Sequence, residues 1–135
     1  MRRVPILVSL LISLAVVPIR AQTAEEIGAT IGSYLRASYI LEQATSECAK
    51  FGLQAHDFNS DLRDVMLTRW GGAFTNDVLV GIRKEATKSI QNVRVITDGN
   101  SKDFYCGFLV GSASQGHLLR RAEWSRLKAA SGSKR

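Results

Sequence analysis

The chain has 135 residues, 45% of them hydrophobic and 22% charged, with a formal net charge of +6. That length accommodates one domain and excludes two full hydrophobic cores. Three of the arginines, Arg2, Arg3 and Arg20, lie in the first 21 residues, so residues 22–135 carry only +3, which removes most of the apparent case for nucleic-acid binding.

The N-terminus carries the most specific pattern. Met1-Arg2-Arg3 is a short positive region, Val4 to Val17 is almost unbroken aliphatic, and Ile19-Arg20-Ala21 ends on the small residue that a signal peptidase accepts before Gln22. Residues 1–21 therefore read as a cleaved secretory signal peptide, and the protein as periplasmic or secreted. The run falls short of the roughly 20 apolar residues that span a bilayer, with an uncleaved anchor as the alternative. Beyond it the sequence divides into a single helical domain at 22–119 and a basic C-terminal helix and tail at 120–135.

A first long helix is predicted from Thr23, which with Glu26 has the form of a capping box, to a stop at Gly52. Ile27, Tyr34, Leu41 and Cys48 run alongside Thr30, Ala37, Ala44 and Phe51 to make one buried stripe, which points the Cys48 sulfur inward. A second helix is expected to begin near Asn59 or Ser60, to carry Leu62, Val65, Met66 and Trp70 on one face, and to end at Gly71-Gly72. A third is capped by Thr75, stapled by Phe74 on Leu79, and buried through Leu79, Ile82, Ala86, Ile90 and Val93.

Residues 93–110 admit two readings. Alternating Val93, Val95 and Thr97 before Asp98-Gly99, and Phe104, Cys106, Phe108 and Val110 after it, allow a β-hairpin and hence an α+β fold. A helix capped by Ser101, with Asp103 in its first turn, agrees better with the helical period of the other segments. The expected fold is thus all-α, a small bundle of four to five helices.

In an oxidising compartment two cysteines in a small domain pair. Cys48 and Cys106 lie 58 residues apart, which matches no redox or haem-attachment motif, so a disulfide staple is expected. Gly107 with Gly111, and Gly28 with Gly32, are small residues that would let the first and fourth helices approach closely near this bond.

Few residues form a chemical motif. Asp57, Asn59 and Asp61 have the alternating spacing that opens a calcium loop, but Leu62 and Thr68 occupy the places of its glycine and its bidentate glutamate, so no metal is assigned and these three stand only as a weak calcium candidate. His56 and His117 form no metal-ligand spacing and read as surface residues. No Gly-x-Ser-x-Gly elbow or phosphate loop is present, so no catalytic residue and no cofactor are assigned. Arg120, Arg121, Arg126 and Lys128, with Trp124, are candidates for contact with an acidic partner surface or, less favourably, with anionic lipid. A solvated helix end explains the same charges.

The general plan is loosely similar to small two-cysteine helical periplasmic proteins, among them acid-stress chaperones and immunity proteins, without a residue-by-residue motif. Nothing is carried over from that likeness. Because a short exported chain without a catalytic motif rarely makes a roomy pocket, the expected function is non-enzymatic binding of another exported or envelope protein, as inhibitor, immunity factor, chaperone or assembly partner. The alternative is a small secreted hydrolase or ligand carrier. An exposed patch on a closed core would favour the first, and a deep pocket with converging His56, His117 or carboxylates the second.

Overall fold

The computed structural model describes residues 22–131. The signal peptide expected at 1–21 and the last four residues of the tail lie outside them. The described chain is all-helical: α1 (Ala24–Glu47), α2 (Phe58–Met66), α3 (Asn76–Ile96) and α4 (Lys102–Ala130), with short 3-10 turns at Ala49–Phe51 and Gly71–Ala73. There is no strand among the described residues, so the hairpin alternative at 93–110 is replaced by the end of α3, a turn, and the start of α4.

Each helix begins where its capping chemistry dictates. Thr23 Oγ1 accepts the Glu26 N–H at 3.1 Å while Glu26 Oε1 accepts the Thr23 N–H at 2.9 Å, which completes the capping box. Thr75 and Ser101 cap α3 and α4 through the N–H groups of Val78 and Phe104. Gly99, at φ +86°, supplies the left-handed residue of the turn that reverses the chain between them.

Three boundaries differ from expectation. α1 ends at Glu47 rather than at Gly52, and the tighter turn that follows swings Phe51 outward, 39% exposed, off the predicted stripe. α2 begins one residue earlier than expected, capped by Asp57, and stops at Met66. It cannot continue to Gly71, because the chain folds back so tightly there that a Cβ on Gly71 would lie 2.7 Å from the Met66 carbonyl oxygen. Trp70 therefore enters the core from a turn instead of from a helix face.

α1 is the central element, packed against α4 along the bundle and against α3 and α2. The Cys48–Cys106 disulfide joins its C-cap to α4, with an S–S distance of 2.02 Å and Cα atoms 5.7 Å apart. The crossing of these two helices at the cysteines is as expected, but the glycine pairs do not make it. A Cβ on Gly28, Gly32, Gly107 or Gly111 would meet nothing within 4 Å, and the small residues in the contact are Ala44 and Ala113.

The core separates into two apolar clusters. One holds Cys48, Cys106, Ile90, Leu109 and their neighbours; the other is built on Ile31, Leu35, Phe58, Val65 and Trp124. α4 serves both, since it runs unbroken through position 120 and buries Trp124 and Leu127. Between the clusters lies a polar layer.

Candidate functional site

Three helices each place a polar side chain on an otherwise buried face in this layer. On α1, Ser38 is fully buried among Tyr34, Leu35 and Thr45. On α2, Asp61 sits in register with Phe58 and Val65. On α4, His117 follows Cys106, Val110 and Ala113 down the inner stripe and is 8% exposed. The fourth member, His56, precedes α2, where its backbone N–H donates to Thr45 Oγ1 at 3.0 Å.

The other three side chains converge on one atom, Asp61 Oδ2. His56 Nε2 and His117 Nε2 each lie 2.9 Å from it, and Ser38 Oγ donates to it at 2.6 Å. His56 Nε2 is also 2.9 Å from Ser38 Oγ. An ionised carboxylate only accepts hydrogen bonds, so this arrangement requires the Nε2–H form of both imidazoles. The rings of His56 and His117 meet edge to face with centroids 4.5 Å apart, and Tyr34 stacks on His117 at 5.8 Å.

Burial opposes ionisation of Asp61, yet the hydrogen bonds from His117, His56, Ser38 and Tyr34 outweigh it and hold the carboxyl well below the usual carboxylate range. For Tyr34, burial and then the hydrogen bond and charge of Asp61 push the phenol well above the usual tyrosine range. The layer thus holds a fixed anion among neutral or cationic donors.

In a Ser-His-Asp relay the acid holds Nδ1 while Nε2 takes the serine proton. Here Asp61 and Ser38 share the same nitrogen, and the Ser38 hydroxyl spends its proton on the carboxylate, so the serine is not activated in this arrangement. A cleft of about 360 Å³ opens on the layer from the side of the 53–57 segment, with His56 and Asp61 in its wall beside Ser60 and Ser114.

Against the sequence reading, the histidines are not surface residues: burial in the layer and the bonds to Asp61 draw both inward. The residues of the calcium candidate do not converge. Asp57 Oδ1 accepts the Asn59 N–H as a helix cap, while Asp61 points to the histidines.

The basic set at the C-terminus is likewise divided. Trp124 is 1% exposed, with its Nε1–H donating to Asp64 Oδ2 at 2.7 Å, and Lys128 reaches the same oxygen at 2.9 Å. Arg120 pairs with Glu123 at 3.1 Å, leaving Arg121 and Arg126 exposed beside it.

α4 also has a second apolar face. Phe104, Phe108, Gly111, Gln115, Leu118 and Ala122 recur alternately four and three residues apart, with Leu119 beside them, on the side of the helix away from the core. Phe104 is 51% exposed, Phe108 42%, Leu118 66% and Leu119 60%. Compared with protein-family models, curated protein sequences and solved structures, the chain gives no match.

Proposed function

We propose that this is a small exported protein whose activity is to bind another exported or envelope protein, as inhibitor, immunity factor, chaperone or assembly partner, and not to catalyse a reaction. The outer face of α4 is the observation that carries this reading. A helix that already buries one stripe has no folding reason to display aromatic and aliphatic side chains on the other, and exposed apolar patches of this kind serve as contact surfaces. The leader-like pattern of residues 1–21 and the Cys48–Cys106 bond support an oxidising compartment.

Copurification from the native envelope tests this directly. Wild-type protein retains a partner, and Phe104→Glu with Phe108→Glu loses it while the chain still folds, because neither residue belongs to the buried core. Equal recovery by the two forms, or recovery of nothing by either, defeats the proposal.

One observation favours the alternative of a hydrolase or ligand carrier, namely that His56, His117 and Asp61 converge beside a cleft.

A further inference from the structure

We propose that His56, Asp61 and His117 form a binding site for one divalent transition-metal ion, with Zn²⁺ the best match to the donor set. The inference stands independently of the outer face of α4. Each residue offers one ligand atom, and these atoms all lie within 4.8 Å of one another. An ion held at about 2.0–2.1 Å by ligands in a tetrahedral arrangement sets them roughly 3.3 Å apart. The two Nε2–Oδ2 separations of 2.9 Å would widen and the Nε2–Nε2 separation, within 4.8 Å, would adjust to the same value.

The chemistry of the donors selects the class of ion. Two imidazoles and one carboxylate suit zinc and its first-row neighbours. Calcium and magnesium call for shells of oxygen ligands, which a single carboxylate does not provide. Binding requires each neutral imidazole to present a bare Nε2 and to keep its one proton on Nδ1, so the ion takes the place now filled by the two N–H bonds to Asp61. Ser38 remains as a donor to the ligating carboxylate, the outer-shell role that orients such ligands.

The surroundings hold the ligands ready. Tyr34 stacks on His117, and Thr45 anchors the His56 backbone, so one ring and the other residue's main chain are supported beside the site. His56 and Asp61 line the cleft beside Ser60 and Ser114, which gives the ion a path and leaves a fourth coordination position for water.

The test uses the chain purified without a polyhistidine tag, with Zn²⁺ titrated by calorimetry and Co²⁺ by visible absorption. The expected result is one ion per chain, a rise in melting temperature with Zn²⁺, and the intense visible bands of four-coordinate Co²⁺. His56→Gln and His117→Gln should each weaken Zn²⁺ binding about tenfold or more, whereas Asn59→Ala leaves it unchanged. Because the chain has only two histidines, ¹⁵N spectra of the wild type give a readout that needs no variant, with Zn²⁺ moving both Nε2 resonances. Absence of binding at millimolar Zn²⁺ overturns the proposal. So does binding that leaves the Nε2 resonances in place, or that survives in a folded His56→Gln/His117→Gln double variant.

Discussion

The two halves of this bundle are held by opposite devices, although α1 and α4 run through both. At the cysteine end the helices meet through small side chains, Ala44 and Ala113, and a covalent bond. At the other end the contact is made by rings: Tyr34 stacks on Trp124 with centroids 5.8 Å apart, and Trp70 meets Trp124 edge to face at 5.9 Å. The first end adds to its own apolar cluster a crosslink that restricts the unfolded chain. The second end depends on area and shape. The polar layer sits between the two clusters.

The sharpest way to break this contrast is Trp124→Ala. It removes the largest fully buried side chain, leaves Asp64 with only Lys128, and should cost about 3–5 kcal/mol. Urea unfolding should show it, with near-native helix content retained at the cysteine end. A loss below about 1 kcal/mol would mean that the aromatic cluster is not what holds that end.

Replacing both cysteines by alanine should cost about 2–4 kcal/mol. The folded variant should keep its native tryptophan fluorescence, because Trp70 and Trp124 both belong to the other cluster. A shifted emission maximum in the folded double variant would show that the two ends are not separate devices.

Asp61→Asn should have the smallest effect of the three, about 1–3 kcal/mol at neutral pH, from loss of charge-assisted hydrogen bonds. Its signature is in acid. The folded carboxyl is held below its ordinary value near 4, so its contribution is complete above that value and disappears as pH falls through the lower folded one. Urea midpoints at pH 7 and pH 3 should therefore differ less in Asp61→Asn than in the wild type. An unchanged difference would assign the acid sensitivity to other carboxylates.

Most of the fold is legible from periodicity and caps. Thr23, Thr75 and Ser101 mark the helix starts, and the inward placement of Cys48 and Cys106 follows from the stripes they share with apolar neighbours. The early end of α2 is not legible, because it depends on how closely Gly71 returns to Met66, a contact that local spacing does not encode.

The polar layer left a trace that motif spacing misses. Ser38, Asp61 and His117 each stand between buried residues on the inner side of a helix, Leu35 and Ala44, Phe58 and Val65, and Ala113 and Trp124 respectively. A polar residue in such a register must find a partner inside. What no single stripe discloses is which interruptions meet, since that depends on the relative rotation and stagger of three helices. His56 lies before α2 and has no stripe to interrupt.

The bond between Cys48 and Cys106 closes a covalent ring that contains His56 and Asp61, whereas His117 rides on the arm of α4 that leaves the ring. Two of the three imidazole and carboxylate groups thus lie inside the ring and the third outside it. A ligand that bridged all three would join the ring to the part of α4 beyond the covalent bond.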